Sequence, residues 1–388
     1  MPKLACSLIL LLSLSVAHAA DEVLTPDQIN DGWIALFDGE TLFGWEATND
    51  ANWRVEDGAI MVDSGAEGWL MTTSEFDGYD LHVEFQGPAT TNSGVFLRTP
   101  LTPTDPAKDC YEVNIAPADN PFPTGSLVAR IKSAGPASAG LQGWNTLEIT
   151  AQGSTIKIVL NDTEVTSYDD PHPLARGHIG LQFREGPIYF RNIRLKPLGL
   201  KPIFNGRNLT GWNTDRADQS EFSVDAEGEL TVKNGPGQLE SDDQFGDFLL
   251  QLECKVNVDG INSGIFFRCI PGDLMMGYES QIHNAMLDGD PTQPVDCGTG
   301  GIFRRQNARR IVARDHEWFA KTIVATGPHM AVWVNGYQVS DWTDDRAPNE
   351  NPRRGLRLEP GTLMIQGHDP TTDLEFRKLQ ITEFPEEK

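Results

Sequence analysis

Long apolar runs are missing from this 388-residue sequence after its first twenty residues. That lack argues against membrane-spanning helices, which need about 20 consecutive apolar residues. Cations are also scarce, because 31 Lys and Arg residues stand against 56 Asp and Glu residues, for a formal net charge of −25. A field of this sign disfavours nucleic acid and anionic lipid as partners and is compatible with neutral or cationic ligands.

Cysteine is rare as well, with five residues in the chain. Four of them lie beyond the first twenty residues: Cys110, Cys254, Cys269 and Cys297. No C-x-x-C pair occurs, so the spacing is not that of a common zinc site. In an oxidising compartment these four could pair in three ways. Cys254 and Cys269 flank a predicted hairpin and could face each other, although the sequence does not choose a pairing.

The one long apolar segment stands at the start of the chain. Lys3 precedes the apolar run Leu4–Val16, and Ala17-His18-Ala19 has the small-x-small pattern of a signal-peptidase site. The pattern predicts a signal peptide over residues 1–19 and export to the periplasm or the medium. A buried N-terminal helix is the alternative, and the polar stretch that begins at Asp21 disfavours it.

Five sequence blocks occur twice, in the same order, and the first three repeat at offsets of 167, 170 and 167 residues. Their pairs are Leu36–Gly39 with Ile203–Gly206, Asn92–Arg98 with Asn262–Arg268, Tyr111–Ile115 with Tyr278–Ile282, Ile158–Asn161 with Val332–Asn335, and Phe190–Ile193 with Phe376–Leu379. So long a period indicates two domains rather than a solenoid. We expect them at residues 31–197 and 200–385, with a short linker between.

Alternating apolar and polar residues dominate each unit. Period-two runs such as Asp80–Phe85 and Phe248–Val256 are typical of strands, and Gly, Asn, Asp and Pro clusters separate them. Asn335-Gly336 between two such runs predicts a tight hairpin. Apart from a possible helical turn at Pro26–Asn30, no segment favours a helix. The sequence therefore predicts an all-β protein of two tandem, jelly-roll-like antiparallel sandwiches.

Standard hydrolase motifs are absent, including G-x-S-x-G, H-E-x-x-H and a phosphate-binding loop. Polar residues cluster instead in the run Tyr278–His283, where strand alternation places Glu279, Gln281 and His283 on one face. A carboxylate, an amide and an imidazole in a row suit sugar binding and proton abstraction. An ordinary solvent-facing strand is the alternative. Glu112 at the matching place in the first unit weakens that alternative, although common ancestry explains part of the match.

Four further residues are candidates for the same site. Asn262 stands in a turn, and alternation predicts that Arg268 shares a strand face with Gly264. Arg304 lies in the only basic segment of the chain, which either forms salt bridges or lines the site. His368 is either a site residue or a turn histidine.

These blocks make the chain resemble the bacterial 3-keto-disaccharide hydrolase family. The resemblance rests on Phe204–Trp212, Asn262–Arg268, Tyr278–His283, Trp333–Gly336 and the closing Phe376-Arg377, and its blocks recur in both units. It implies a fold like that of concanavalin A-like lectins and glucanases. It also implies cleavage of glycosides that already carry a ketone at sugar carbon 3.

Such a ketone acidifies the hydrogen on carbon 2, so that a base can remove it, the group on carbon 1 is eliminated, and water then adds. We expect Glu279 or His283 to be the base and Arg268 to stabilise the enolate oxygen. The expected substrate-binding residues are Gln281, Asn262, His368 and Arg304. No cofactor is predicted. Glu279 and His283 could share a divalent metal, but two ligands are too few to predict one.

The two units differ at the candidate positions. Gln281 matches Asn114, His283 matches Ala116, and His368 matches Arg184. We therefore expect the second unit to carry any activity and the first to bind glycan or support the fold. A non-catalytic, lectin-like carbohydrate-binding protein is the main competing hypothesis. A structural role without sugar binding is the third. The sequence leaves the exact sugar and the oligomeric state open.

Overall fold

The computed structural model of the chain describes residues 23–105, 107–135 and 143–385. Four antiparallel sheets account for its strands, and each eight-stranded sheet packs on a five-stranded sheet over an apolar core. The predicted all-β fold of two tandem sandwiches is confirmed. The predicted signal peptide lies outside the described residues. Within those residues, no helix is both long and apolar enough to span a membrane.

The first sandwich follows a short helix, α1 (Pro26–Asn30), whose N-terminus is capped by Thr25. Its strands are β1 (Ile34–Ala35), β2 (Trp45–Ala47), β3 (Arg54–Glu56), β4 (Ala59–Val62), β5 (Gly68–Thr72), β6 (Tyr79–Gln86), β7 (Ser93–Thr99), β8 (Tyr111–Ile115), β9 (Asn145–Gln152), β10 (Thr155–Leu160), β11 (Thr163–Asp169), β12 (His178–Phe183) and β13 (Ile188–Pro197). The large sheet has the order β11-β10-β9-β6-β13-β4-β3, with β1 also paired to β13, and the small sheet has the order β2-β5-β12-β7-β8.

The second sandwich repeats this arrangement strand for strand. Its strands are β14 (Lys201–Pro202), β15 (Trp212–Asn213), β16 (Glu221–Val224), β17 (Leu230–Lys233), β18 (Gly237–Phe245), β19 (Phe248–Val256), β20 (Ser263–Cys269), β21 (Tyr278–Ile282), β22 (Trp318–Thr326), β23 (His329–Val334), β24 (Tyr337–Thr343), β25 (Gly361–Gly367) and β26 (Asp373–Glu383). The large sheet has the order β16-β17-β26-β19-β22-β23-β24, with β14 on β26, and the small sheet has the order β15-β18-β25-β20-β21. A 3-10 turn lies at Leu287–Gly289.

The predicted hairpin joins β23 to β24. Val334 pairs with Tyr337, and both linking residues have positive φ, 48° at Asn335 and 74° at Gly336. Two left-handed residues match a two-residue loop to the right-handed twist of the strands, which is why Asn-Gly favours it. The first sandwich makes the same turn with Asn161 and Asp162.

The two sandwiches are packed against each other through apolar and polar contacts. Trp333 of β23 is buried with the core residues of the first sandwich, and its ring centroid lies 6.3 Å from that of Phe76. Its Nε1 donates to the Ala35 carbonyl at 2.9 Å. Arg309 forms an ion pair with Asp38 at 2.8 Å. These contacts fix the second sandwich on the first.

The expectation that Cys254 and Cys269 could face each other is wrong. Cys254 lies on β19 in the large sheet and Cys269 on β20 in the small sheet, so the connection between them crosses from one sheet to the other. Cys254 packs in the main core, whereas Cys269 packs in a small separate cluster with Phe266 and Met364. Both carry free, buried thiols, as does Cys297.

Candidate active site

Strand β21 lies at the edge of the second small sheet and is held on both sides. It pairs with β20, and the chain from Thr299 to Phe303 runs along its other side, where Gly300 N donates to Gln281 O and Phe303 N donates to Glu279 O, each at 2.9 Å. Tyr278 and Ile282 point into the core. As alternation predicts, Glu279 and Gln281 therefore belong to the opposite face, which we call the outer face of the second small sheet.

Glu279 is the most perturbed carboxyl group on this outer face. Its side chain is only 6 % exposed. Burial raises the pKa of Glu279 to about 7, although Arg353 and Lys321 oppose the rise. Arg353 Nη2 lies 3.5 Å from Glu279 Oε2. A carboxyl group with this pKa can both accept and return a proton near neutral pH, which is what a general base requires.

A cleft opens beside Glu279. It encloses ≈ 380 Å³ that is partly open to solvent. Three arginines line it together with Glu279, namely Arg304, Arg305 and Arg353. Positive groups beside an ionisable carboxyl are suited to stabilising negative charge that develops on a bound ligand.

Two glutamines flank a glycine next to Glu279 on the outer face. Gln281 stands opposite Gly264, and the register of β20 on β25 places Gln366 on the other side of that glycine. A side chain at Gly264 would collide with Glu279, because its Cβ would lie 2.8 Å from the carboxylate Oε1. Gln281 and Gln366 are 0 % and 7 % exposed, and the Oε1 atom of each has no hydrogen-bond partner among the described residues. Unsatisfied buried acceptors are costly, so a ligand hydroxyl group is a fitting partner for them.

The far end of this face holds the remaining polar candidates. Asp296 Oδ2 accepts from Asn262 Nδ2 at 3.1 Å and from Gln281 Nε2 at 3.3 Å. His283 is half-buried, and within the described part of the chain its Nδ1 has no hydrogen-bond partner. Burial lowers the pKa of His283, while Asp296 raises it and the nearby His368 lowers it. His368 itself is exposed and bonds Asp369 at 2.9 Å.

Glu279 and His283 stand at different places along the outer face. They are four residues apart along an extended segment, which separates them by roughly 13 Å at the usual rise per residue. Of the two predicted bases, Glu279 lies at the arginine-lined cleft. His283, with its lowered pKa, is neutral near pH 7 and suits hydrogen bonding to a more distant part of a ligand.

The expected place of Arg268 is wrong. A bulge between Phe266 and Cys269 breaks the alternation of β20, and Arg268 takes a φ of 47°. Its fully buried guanidinium donates to the carbonyls of Gly246 and Gly327 and pairs with Asp247 at 2.6 Å. These bonds hold the Arg268 side chain away from Glu279, so Arg268 is not part of the candidate site.

Arg98 in the first sandwich has the same structural role. It has a φ of 48° at an equivalent bulge, and its guanidinium donates to the carbonyls of Asp77, Gly153 and Leu174. The matching residue therefore ties loops together in both sandwiches. Its recurrence reflects the fold rather than the site.

Two insertions in the second sandwich supply residues that the sequence reasoning missed. Asn114 N donates to Ser126 O in the first sandwich, and the matching Gln281 N donates to Gly301 O in the second. The difference in residue number between matching positions is 167 for the two donors and 175 for the two acceptors. The eight extra residues lie in the loop that carries Asp296. The change of offset between repeated blocks is the signal that could have found it.

The second insertion carries Arg353. Tyr111 Oη contacts Asp170 and the amide of Leu174, whereas Tyr278 Oη contacts Asp344 and the amide of Arg357. The offset between these partners rises from 174 to 183, so nine residues are added within the segment that brings Arg353 to Glu279. The widening offset between the last two repeated blocks contains this signal.

The basic segment of the sequence divides in space. Arg304, as predicted for a substrate-binding residue, lines the cleft, is exposed, and has a φ of 57°. Arg309 instead lies at the contact with the first sandwich, and Arg314 is exposed beside Glu317. The first sandwich has an arginine at the matching turn, because Arg130 follows Ala129, whose positive φ matches that of Arg304.

The described residues contain no group of three or more His, Cys, Asp or Glu side chains placed to hold a metal ion. Glu279 and His283, the two ligands that the sequence suggested, are not part of such a group.

On a fold of two tandem β-sandwiches, the outer face of the second thus combines a desolvated carboxyl group with an arginine-lined cleft and two buried amides. The chain belongs to the family described as 3-keto-alpha-glucoside-1,2-lyase-like domains, which matches residues 32–196 and again residues 199–382. The family assignment and the two tandem copies agree with the resemblance seen in the sequence, which is thereby confirmed.

Individual relatives are distant. A 3-keto-disaccharide hydrolase from Bacteroides thetaiotaomicron is 25 % identical over 229 residues, which covers 43 % of this chain and 79 % of that protein. A solved structure from Parabacteroides distasonis, provisionally named a glycosyl hydrolase, is 19 % identical, covers 46 % of this chain and 99 % of its own, and has a TM-score of 0.41. The carbohydrate-binding module CBM66 from Bacillus subtilis is 18 % identical, with 39 % and 94 % coverage and a TM-score of 0.31.

Proposed function

We propose that the protein is an exported enzyme that cleaves 3-keto-glycosides, and that its second sandwich carries the reaction. The single observation that supports this most is Glu279, a buried carboxyl group with a pKa of about 7 that borders an arginine-lined cleft. Membership of the 3-keto-glucoside lyase-like family supports the substrate class.

Glu279 is the base in this proposal. It removes the hydrogen from carbon 2 of the oxidised sugar, and the electron pair moves onto the ketone oxygen at carbon 3 as an enolate. Arg353 or Arg304 stabilises that oxygen, in the role that the family resemblance led us to expect for Arg268. The enolate then re-forms the ketone and expels the group on carbon 1. Glu279 passes the abstracted proton to the leaving oxygen as its bond to carbon 1 breaks. Water then adds across the double bond, with its hydroxyl group on carbon 1 and its proton on carbon 2.

The amides and imidazoles of the outer face bind the sugars. Gln281 and Gln366 each offer an unpaired Oε1 atom to a hydroxyl group, and Asn262 and His283 lie further along the same face. His368 stands exposed at the end of this row. No paired carboxylates of the kind used by ordinary glycosidases are needed for an elimination.

Export remains part of the proposal, on the strength of the predicted signal peptide. The first sandwich belongs to the same family and has no counterpart of Arg353, because it lacks the second insertion. The first sandwich supports the second through its contact with Trp333. Its role is either this support alone or support together with glycan binding.

The test uses the full-length protein with a 3-keto-disaccharide that carries deuterium on carbon 2, and with the unoxidised parent. Cleavage of the oxidised sugar, loss of deuterium to water and a primary isotope effect are expected. The parent should not react. Equal cleavage of both sugars, or products that keep the deuterium, would contradict the proposed elimination.

A further inference from the structure

Three buried positions beneath β21 differ in kind from those beneath β8, its counterpart in the first sandwich. The registers of the two large sheets match Lys321, opposite Leu252, with Leu147, opposite Val83. The same registers match Cys254 with Phe85, and the repeated block matches Ser280 with Val113. An apolar trio in the first core is therefore replaced by a thiol, a hydroxyl group and an amine in the second.

Lys321 reaches across the core to the strand that bears the proposed base. It is 1 % exposed, and its Nζ donates to the carbonyls of Ser280 at 2.9 Å and Gln281 at 2.8 Å. Among the described residues, no carboxylate lies within ion-pair distance of this ammonium group. The smaller Cys254, where the first sandwich has a phenylalanine, leaves room for the lysine side chain. The hydroxyl group of Ser280 is buried, and no residue that the structure describes forms a hydrogen bond with it.

Stability does not explain this arrangement. Removing an ammonium group from water costs several kcal/mol, and well-packed apolar residues often replace buried charges without loss of stability. The first sandwich shows that the fold does not need the charge, because Leu147, Val113 and Phe85 fill the same places and are all 0 % exposed. A costly group that the fold can do without calls for a role in the site.

We infer that Lys321 is a positioning residue for the proposed base: it holds the backbone of β21 through the Ser280 and Gln281 carbonyls and, when protonated, supplies a positive charge that favours the ionised form of Glu279. This inference rests on the proposed function, because it gives Glu279 the role of base. The two carbonyls that Lys321 holds belong to the residue after Glu279 and to Gln281, so both outer-face side chains depend on the same anchor.

The electrostatic surroundings agree with this role. Burial raises the pKa of Glu279, Arg353 and Lys321 oppose that rise, and Asp296 adds to it. Arg304 and Arg305 also border the cleft. Burial lowers the pKa of Lys321 to about 7, while the neighbouring Cys254, Glu279 and Cys297 raise it. The lysine and the glutamate thus influence each other across β21, although they lie on opposite faces of the strand.

The experiment replaces the ammonium group by a neutral chain of similar length, Lys321→Met, in the full-length protein. Carbon-13 NMR of glutamate carboxyl groups follows the titration, and the Glu279 signal is assigned by its absence in Glu279→Gln. We expect the pKa of Glu279 to rise by about one unit in the variant, because an adjacent positive charge is lost. The Glu112 signal in the same spectrum is the internal control and should not move.

The same variant should shift the acidic limb of kcat/KM upward by the same amount, about one pH unit. The NMR readout needs no substrate, so it still decides the role of Lys321 if the protein fails to cleave 3-keto-glycosides. An unchanged titration of Glu279 would overturn the inference.

A second variant guards against poor packing around methionine. Cys254→Phe, Ser280→Val and Lys321→Leu together rebuild the apolar trio of the first sandwich, and this protein should fold and show the same raised pKa of Glu279. If neither variant folded, Lys321 would be a structural requirement of the second core, and the inference would fail.

Discussion

The two sandwiches share a buried glutamate and differ in what surrounds it. Glu112 and Glu279 occupy matching places on β8 and β21, are 7 % and 6 % exposed, and burial raises the pKa of each to about 7. Of these two glutamates, only Glu279 has Arg353 within ion-pair distance, whereas the arginine near Glu112 is the more exposed Arg184. A perturbed carboxyl group is therefore a property of the shared fold, and its pKa alone does not identify a working site.

The insertions and one core position make the difference. The first insertion brings Asp296 to Gln281, and the second brings Arg353 to Glu279. Lys321 adds a buried cation where the first sandwich has Leu147. A duplicated fold has kept its frame in both copies, while the polar groups of the candidate site accumulate in one. The predictions below test that division.

The largest expected effect concerns a feature common to both sandwiches. Arg268→Met and Arg98→Met should each lower the free energy of unfolding by about 3–5 kcal/mol, because each leaves buried partners without their cation. Urea denaturation of the two single variants measures this. A loss of stability in Arg268→Met without a comparable loss in Arg98→Met would contradict the view that the two arginines have the same structural role.

Arg353→Met should reduce kcat/KM on a 3-keto-disaccharide about 100-fold, or about 2.7 kcal/mol of transition-state stabilisation. The change removes the cation nearest Glu279 and raises the pKa of that carboxyl group. Arg314→Met is the control, because Arg314 lies in the basic segment but is 79 % exposed beside Glu317. Steady-state kinetics at pH 7 compare them, and equal effects would refute a special place for Arg353.

The paired glutamines should influence binding more than chemistry. Gln281→Leu and Gln366→Leu should each weaken substrate binding about tenfold, the size expected when one neutral hydrogen bond is lost. The matched control is Gln182→Leu, since Gln182 occupies the place of Gln366 in the first sandwich. The KM values report the difference. If the control raised KM as much as the others, the two faces would share the binding of substrate.

A further expected effect is a change in the pH dependence of stability. The pKa of Lys321 is lowered to about 7 in the folded state from an ordinary value of 10.5. Between these values the unfolded chain holds a proton that the folded chain has released, so this group makes stability increase with pH from about 7 to 10.5. Lys321→Met should therefore exceed the wild type in stability most below pH 7, and the gap should shrink above it. Thermal melts across pH 6–10 show whether it does.

The sequence predicted those features that repeat or alternate. The five repeated blocks predicted the duplication, and period-two runs predicted the sandwiches and the face on which Glu279 and Gln281 lie. Alternation failed at Arg268 because a bulge, which adds a residue to one strand, cannot be read from the spacing of apolar residues. The choice between Glu279 and His283 needed the position of the cleft.

The missed residues lie in segments that no local pattern connects with the site. Asp296 and Arg353 are in insertions whose return to the sheet depends on tertiary contacts. Lys321 is on a strand of the opposite sheet, and its alternation with core residues predicts a buried side chain without saying that it reaches β21. Only the comparison of registers between the sandwiches exposes it as a departure from the shared core.

The most direct test of the asymmetry compares Glu279→Gln with Glu112→Gln in the full-length protein on one 3-keto-disaccharide. Loss of a general base typically costs about 10²–10⁴ in rate. We expect a loss of this size in kcat/KM for Glu279→Gln and less than about a twofold change for Glu112→Gln, with both proteins folded. Comparable losses in the two variants, or a fully active Glu279→Gln protein, would contradict the assignment of the reaction to the second sandwich.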